Sequence, residues 1–311
     1  MYMKIHKKLK NGLSPSVKLF IAMLPSIIIC FLYNYKPVAG LGYAFFEYKP
    51  KVGLWDSEFV GLKYFEMLIS NSIRRRELLM VLRNTIVMST IGVLTSFLPM
   101  FVTLFLNEIR AKGYKRLVQS VITIPNFISW VIIYAAFFNL FSPSEGLVSV
   151  LLRNAGIIKG NFELMTSAKY GWFFMWVLGT WKGLGWNTII YFSALSSVDQ
   201  ELYEAADLDG AGRFQKMYYV SLPFLMPTFI TLLIMSIGSF LSSDFDRAFN
   251  FTNAFNRETV ATLDLYVYEI GMKGLDISLG TAVGLAKSIV GLILLFFSNY
   301  LSKKIRGYTI F

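Results

Sequence analysis

Long apolar runs separated by shorter polar segments are the dominant pattern in this chain. Six runs are rich in Leu, Ile, Val, Phe and Met, and each approaches the roughly 20 apolar residues that a helix needs to cross a membrane. The ten-residue alternation typical of transmembrane β-strands is absent from the sequence. The pattern therefore predicts an all-α polytopic membrane protein with six transmembrane helices. The predicted spans are residues 18–36, 85–106, 117–141, 171–192, 222–242 and 280–301.

The segment between the first two runs has a different pattern. Residues 59–82 are too polar to span a membrane, but their apolar positions recur at helical spacing. This spacing predicts an interfacial amphipathic helix that ends at Arg74, Arg75 and Arg76, and an ordinary exposed connector is the alternative. The predicted organisation is an N-terminal tail 1–17, a first span 18–36, an extracytoplasmic segment 37–84, a core of five spans 85–301 and a C-terminal tail 302–311.

Composition and charge support a membrane protein and indicate its orientation. The 311 residues are 55% hydrophobic and 16% charged, and the net charge is +11. Basic residues gather at the ends of apolar runs, which is typical of membrane topology and headgroup contact rather than of nucleic-acid binding. Lys and Arg are densest in the short segments on the side of the two termini, so both termini are expected in the cytoplasm. Because no clear small-x-small cleavage site closes the first run, we expect a retained helix rather than a cleaved signal peptide.

The chain carries few residues suited to catalysis. Its one cysteine, Cys30, and its one histidine, His6, cannot form a disulfide framework, a Cys/His metal cluster or a catalytic Cys/His pair within the chain. The nearest approach to a phosphate-binding loop, residues 280–288 (GTAVGLAKS), lies inside the predicted sixth span, where no glycine-rich turn opens a helix. We therefore expect no enzymatic activity, metal or cofactor in this chain, and we expect any ATP hydrolysis to occur on another chain.

The predicted cytoplasmic loop at residues 196–227 has the clearest local signals. Asp199 is a good N-cap for a short helix, and Gly210 or Gly212 permits a sharp break after it. A second helix would then begin at Arg213 and lead into the fifth span. The sequence therefore predicts a helix-turn-helix across the cytoplasmic mouth of the protein.

This loop resembles the EAA loop of ABC importer permeases, through the spacing Glu-Ala-Ala, three residues, Gly, nine residues and Val-x-Leu-Pro. The family usually has Ile where this chain has Val220. In that family the loop is a coupling helix that inserts into a cleft of a cytoplasmic ATPase. By resemblance, the residues expected to couple to the ATPase are Glu204, Ala205, Ala206, Asp209, Gly210, Arg213, Leu222 and Pro223.

The resemblance extends to nearly the whole chain and narrows to the carbohydrate branch, in particular the polysaccharide-type, LplB-like subgroup. Residues 35–65, 83–85, 181–191, 262–268 and 282–288 are similar to that subgroup, whereas Ser149 stands where its pattern often has Asn. The resemblance implies a type I importer permease in a bacterial cytoplasmic membrane, working by alternating access on oligosaccharides. It also implies as partners a second homologous permease, two copies of an ATPase that bind ATP and Mg, and an extracytoplasmic solute-binding protein.

Polar and aromatic residues inside the predicted spans are candidates for substrate contact, because polar groups there are costly and aromatic rings stack on sugars. A lysine in the pathway, such as Lys182, would pair with an acidic sugar such as a uronate. The alternatives are snorkelling of Lys182 to the interface and helix packing at Asn126 and Trp130, which follow a predicted kink at Pro125. The candidate pathway residues are Asn126, Trp130, Lys182, Trp186, Asn187 and Lys287.

Three other functions are weighed against an oligosaccharide permease. A self-contained secondary transporter or channel would need intramembrane Asp, Glu or His, and the six runs contain essentially none. A membrane-embedded enzyme would need a catalytic constellation within the spans, which the runs do not provide. A permease of the same superfamily for amino acids or phosphate is the remaining alternative, and the similarity of the outer segment argues against it.

Overall fold

The computed structural model describes residues 14–306, except residues 50, 52, 159 and 161. Residues 1–13 of the predicted N-terminal tail and 307–311 of the predicted C-terminal tail lie outside the described residues. The α-helices are α1 Pro15–Cys30, α2 Lys63–Ser70, α3 Ser72–Leu94, α4 Leu98–Asn107, α5 Lys112–Thr123, α6 Trp130–Phe141, α7 Leu147–Asn154, α8 Gly171–Leu195, α9 Gln200–Leu208, α10 Arg213–Lys216, α11 Leu222–Gly238, α12 Phe245–Phe251, α13 Arg257–Val260, α14 Leu263–Tyr268 and α15 Ile277–Arg306. Short π or 3-10 segments cover Phe31–Tyr35, Lys36–Phe45, Ile124–Phe127, Ala168–Tyr170, Met217–Ser221 and Glu269–Lys273.

Several helices of the described residues are long and apolar enough to cross a membrane, as predicted, and the count of six spans stays a prediction. Within the described residues, the predicted third span is a bent pair, Lys112–Phe127 and Trp130–Phe141, with an angle of 98° between its halves. The predicted fourth span, α8, has 25 residues and is long enough to cross, but it is not among the strongly apolar helices. The helical segments that are both long and apolar enough are Pro15–Phe45, Ser72–Asn107, Arg213–Gly238 and Ile277–Lys304.

A β-hairpin corrects the prediction of an all-α chain. Strand β1, Phe46–Lys49, pairs antiparallel with strand β2, Gly53–Phe59. The hairpin is attached to the start of α15, where the Ser278 hydroxyl donates to the Phe46 carbonyl at 2.7 Å and accepts from the Tyr48 amide at 3.0 Å. Because this attachment joins residues about 230 positions apart, the local apolar pattern does not reveal it.

The predicted amphipathic helix is also corrected, because it is two helices. Asn71 ends α2 and begins α3, and its side chain accepts hydrogen bonds from the backbone amides of Ile73 and Arg74, each at 3.1 Å. Asn is a strong N-cap because its side-chain oxygen pairs amides that have no partner within the helix. The three arginines therefore lie at the start of the helix that contains the second span. That span begins 13 residues earlier than predicted, at Ser72 rather than 85, and it is interrupted between α3 and α4.

Two buried polar residues attach α3 to the chain segment around α13. Asn84 is fully buried, and its Nδ2 donates to the backbone carbonyls of Glu258 and Ala261, both at 2.9 Å. The neighbouring Thr85 hydroxyl accepts a hydrogen bond from the Leu263 amide at 2.9 Å. Since buried backbone groups must be paired, this side-chain pair fixes the short helices α13 and α14 against the second span.

The break in the third span confirms the kink predicted at Pro125, and Lys182 of α8 fills it. The Lys182 ammonium donates to the backbone carbonyls of Pro125 at 3.2 Å, Asn126 at 2.8 Å and Ile128 at 2.6 Å. It also lies 5.3 Å from the centre of the Trp130 ring. An ammonium group has three donors, so these three carbonyls use its full capacity.

Glycines allow the neighbouring helices to approach α8 closely. Of Gly179, Gly183 and Gly185, two lie so close to a neighbouring element that no side chain would fit. A Cβ at Gly185 would overlap the backbone of Ile122 in α5, and a Cβ at Gly179 would overlap the Arg247 guanidinium. At Gly183 the nearest atom to such a Cβ is a side-chain nitrogen at 3.4 Å.

We expect Gly185→Ala to lower the free energy of unfolding by about 1–3 kcal/mol, because α5 must move away from α8 to accommodate the methyl group. Gly183→Ala is the matched control, since the space there is sufficient. Thermal unfolding of both purified variants in the same detergent measures the difference. Equal midpoints for the two variants would contradict the close approach of α5 and α8.

We expect Lys182→Met to lower the free energy of unfolding by about 1–3 kcal/mol, because the carbonyls in the break lose their donor. Lys182→Arg keeps the charge and should recover part of the loss. The exposed Lys169 provides the control, Lys169→Met. The measurement is thermal unfolding in detergent or nanodiscs, and a Lys182→Met variant as stable as the Lys169→Met variant would exclude a capping role for the ammonium.

Candidate functional site

The loop between α8 and α11 is a helix-turn-helix, as predicted. Asp199 begins α9, and its carboxylate accepts a hydrogen bond from a backbone amide two residues later at 3.1 Å. After α9, Gly210 has a φ of +78°. The Gly210 amide donates to the Asp207 carbonyl at 3.1 Å, and the Ala211 amide donates to the Ala206 carbonyl at 2.9 Å. This is the Schellman arrangement, whose left-handed residue is usually glycine because any Cβ there is strained.

Two side-chain contacts hold the two arms of the loop together. The Lys216 ammonium pairs with the Asp207 carboxylate at 2.7 Å, and the Tyr203 and Ser221 hydroxyls are hydrogen-bonded at 2.8 Å. The second arm continues without interruption through α10 and the π segment into α11, as one helical segment Arg213–Gly238. These contacts attach α9 to the helical segment that includes α11.

The tip of the loop exposes apolar side chains. Leu208 is 90% exposed and Phe214 is 74% exposed. Large exposed apolar groups in one place are typical of an interaction surface. Among the residues predicted to couple, Ala206 and Leu222 are half-buried and the exposed ones are Glu204, Ala205, Asp209, Gly210, Arg213 and Pro223. This exposure is compatible with the predicted docking, which stays a prediction.

The π segment Met217–Ser221 is a feature that the sequence does not predict. The backbone amide of Leu222 donates to the Met217 carbonyl, five residues earlier. Such a turn has no distinctive composition, because it depends on how the helix packs at both ends. π turns within α-helices occur frequently at functional sites, and this one lies between the helix-turn-helix and the cavity described next.

A cavity of about 620 Å³ lies between α3, α4, α8, α11 and α12. Its wall includes the interruption of the second span, where the Trp176 indole donates to the Thr95 hydroxyl at 3.0 Å. The cavity is lined on α11 by Leu232 and Ser236, among others, which belong to the same helical segment as the second arm of the loop. Its remaining polar lining includes Ser96, Thr180, Asn187, Ser239, Asp244 and Arg247.

The structure brings few of the six predicted pathway residues together. Asn187 lines the cavity. Asn126, Trp130 and Lys182 lie at the break in the third span, where the ammonium is fully engaged. Trp186 is 47% exposed and packs edge-on against Phe127, with ring centres 5.8 Å apart.

The sixth predicted pathway residue, Lys287, forms an ion pair. Its ammonium donates to the Asp264 carboxylate at the start of α14. The other carboxylate oxygen accepts hydrogen bonds from the Ser243 amide at 2.8 Å and the Ser243 hydroxyl at 3.0 Å. The charge of Lys287 is thereby balanced within the protein, and this group of residues positions the start of α12. Substrate contact by Lys182 and Lys287 stays a prediction, although both ammonium groups already have protein partners.

Sequence reasoning missed Arg247 and Asp244 at the cavity. Both lie in the polar stretch after the fifth predicted span, where charged residues are ordinary in an exposed loop. The structure instead returns this stretch towards α8 as the helix α12, and the Arg247 Nη1 donates to the Met175 carbonyl at 3.0 Å. The only sequence signal is that the stretch is rich in Phe, which indicates burial of part of it.

A second charged group fixes α13. Arg257 donates to the Glu269 carboxylate at 2.6 Å and to the Glu77 carboxylate at 3.0 Å. The hydrogen bond to Glu269, helped by the one to Glu77, raises the pKa of Arg257 above its ordinary value, against the opposing effect of burial. The pairs join α3, α13 and the π segment after α14, which stabilises the same region that Asn84 holds.

Comparison with known proteins identifies the family. Residues 88–307 match the family described as "Binding-protein-dependent transport system inner membrane component". Protein LplB of Bacillus subtilis (strain 168) is 38% identical over 289 residues, which are 92% of this chain and 88% of LplB. The polygalacturonan/rhamnogalacturonan transport system permease protein YteP of the same organism is 38% identical over 299 residues, which are 96% of this chain and 91% of YteP.

A solved structure agrees with these relatives. A chain in the crystal structure of the bacterial alginate ABC transporter, in complex with an alginate pentasaccharide-bound periplasmic protein, superposes with a TM-score of 0.82 at 28% sequence identity. The match covers 99% of this chain and 100% of that chain. The predicted type I ABC permease fold is therefore confirmed. This chain belongs to the family of binding-protein-dependent transport system inner membrane components.

Proposed function

We propose that this chain is one permease subunit of an ATP-driven ABC importer for oligosaccharides released from polysaccharides. The proposal rests on similarity over 96% of the chain to a permease named for polygalacturonan and rhamnogalacturonan transport. A fold shared with an importer of the acidic polysaccharide alginate supports it. The cavity adds support, because about 620 Å³ is within the range of small-molecule sites. Its hydroxyl, amide and indole groups suit a sugar.

The proposed complex contains four further kinds of component besides lipid: a second homologous permease, two copies of a cytoplasmic ATPase, an extracytoplasmic solute-binding protein and the oligosaccharide. ATP and Mg would be bound by the ATPase and not by this chain. The periplasmic protein in the alginate transporter complex supports the binding protein as a partner. In this arrangement the chain has six spans and both termini in the cytoplasm, with α8 and the bent pair each crossing once.

The proposed mechanism is alternating access driven through the helix-turn-helix. ATP-dependent closure of the two ATPase subunits would displace α9, and the Tyr203–Ser221 contact passes that displacement to the helix that continues into α11. Leu232 and Ser236 on the same helix line the cavity. The two states of the cavity must differ in affinity for the sugar, because a ligand shifts an equilibrium only by its differential affinity.

We expect purified complex in proteoliposomes, supplied with its binding protein and with ATP on the ATPase side, to take up trigalacturonate and neutral galactose trimers but not glutamate or phosphate. Replacing ATP by a non-hydrolysable analogue is the control and should stop uptake. Radiolabelled substrate retained on filters gives the measurement. ATP-dependent uptake of glutamate or phosphate alone would move the chain to another branch of the family. Uptake by this chain alone, driven by an ion gradient, would overturn the ABC mechanism.

We expect Gly210→Val to reduce the amount of ATPase that co-purifies with the permease by several-fold, because a β-branched residue is strained at a φ of +78°. Gly212→Val is the matched control, since Gly212 has an extended backbone (φ −69°, ψ 169°) that valine adopts readily. Quantitative gel densitometry after purification in mild detergent compares the two variants. Equal ATPase recovery from both would remove the coupling role assigned to this turn.

A further inference from the structure

Arg247 is a cation on the wall of the cavity with unused hydrogen-bond donors. Among the described residues its guanidinium makes one side-chain hydrogen bond, from Nη1 to the Met175 carbonyl at 3.0 Å. Its Nε is enclosed and has no hydrogen-bond partner. No carboxylate oxygen of the described residues lies within ion-pair distance of it, although several acidic side chains form ion pairs elsewhere. An arginine that loses water without gaining an anion is energetically unfavourable.

The surroundings of Arg247 are built to hold it at the cavity. The guanidinium lies directly over Gly179, where any side chain would collide with it. The guanidinium carbon also lies 5.9 Å from the centre of the buried Trp130 ring. A ring at this distance favours a guanidinium, because aromatic faces attract such a cation.

The two lysine ammonium groups near this part of the spans already have protein partners. Lys182 donates to three backbone carbonyls, and Lys287 pairs with the Asp264 carboxylate. Arg247 therefore differs from both lysines, because it lines the cavity and has N–H groups without a hydrogen-bond partner. A guanidinium presents its donors as a planar fork, which matches the two oxygens of a carboxylate.

We propose that Arg247 binds a carboxylate of the transported oligosaccharide inside the cavity, and that the substrate class is acidic, uronate-containing oligosaccharide. The inference rests on the proposed function and specifies its substrate. The charge of Arg247 compensates the uronate at the point where the sugar has left water. The enclosed Nε would become available when α12 and α8 shift during the transport cycle.

Asp244 on the same wall prevents this site from holding an anion too tightly. Its carboxylate accepts a hydrogen bond from the Arg247 backbone amide at 3.3 Å, as the N-cap of α12. It also lines the cavity, so it lowers the positive potential that a uronate meets there. A transport site must bind strongly enough to admit its substrate and weakly enough to release it.

The test compares trigalacturonate with the neutral galactose trimer in the reconstituted complex, for wild type and for Arg247→Gln. The same binding protein delivers both sugars, so its own preference cancels when the acidic-to-neutral uptake ratio of the variant is divided by that of the wild type. We expect this quotient to fall about tenfold or more, as for the loss of a charge-assisted hydrogen-bonded pair. Arg247→Lys should keep most of the ratio, because it keeps the charge.

Asp244→Asn is the complementary variant, since asparagine caps a helix as well as aspartate does and the substitution removes only the negative charge. It should raise the acidic-to-neutral ratio. Thermal unfolding and ATPase recovery identify any variant that has failed to fold, and the rise in the ratio expected for Asp244→Asn then provides the deciding comparison with wild type. An equal loss of both sugars in Arg247→Gln, or no loss of either, would overturn the inference while oligosaccharide import stands. Absence of ATP-dependent uptake of both sugars by the wild type would overturn the proposed function itself.

Discussion

Every backbone polar group that a helix break releases inside a membrane must find a partner within the protein, because hydrocarbon provides none. Buried polar side chains do this throughout the chain. Lys182 donates hydrogen bonds to the backbone carbonyls left free between α5 and α6. Asn84 does the same for the carbonyls before α14. Asn256, which is 2% exposed, donates to the carbonyls of Met165 at 2.8 Å and Phe251 at 2.9 Å. Each of these side chains joins segments far apart in sequence, so the hydrogen bonds that satisfy the carbonyls at the breaks also hold the fold together.

Three of the breaks lie beside the unbroken α8, which lines the cavity. The second span is interrupted at the cavity wall and α12 returns towards it after α11, whereas the third span bends where Lys182 of α8 reaches its carbonyls. Gly179 and Gly185 let Arg247 and α5 reach the backbone of α8. The glycines of α8 thus let neighbouring elements pack against its backbone, and the same helix lines the cavity.

Local features of the chain could be predicted from the sequence, and long-range contacts could not. The apolar runs locate the spans, and Asp199 and Gly210 locate the helix-turn-helix, because capping and left-handed turns act within a few residues. The hairpin of β1 and β2 is attached through Ser278, about 230 positions away. The hydrogen bonds of Lys182 are made to carbonyls more than 50 residues away. The position of Arg247 depends on how α12 folds back. A polar stretch between apolar runs predicts an exposed loop when only the sequence is known.

The π turn at Met217–Ser221 lies between the helix-turn-helix and the part of α11 that lines the cavity. A π turn contains about one residue more than the α-helical turn that it replaces, and one residue of α-helix corresponds to about 100° of rotation and 1.5 Å of rise. If this turn tightened into regular α-helix, the loop would rotate by about 100° about the helix axis relative to Leu232 and Ser236. A displacement of the helix-turn-helix would then move α11 at the cavity by combined rotation and translation along the helix axis, and not by tilting it.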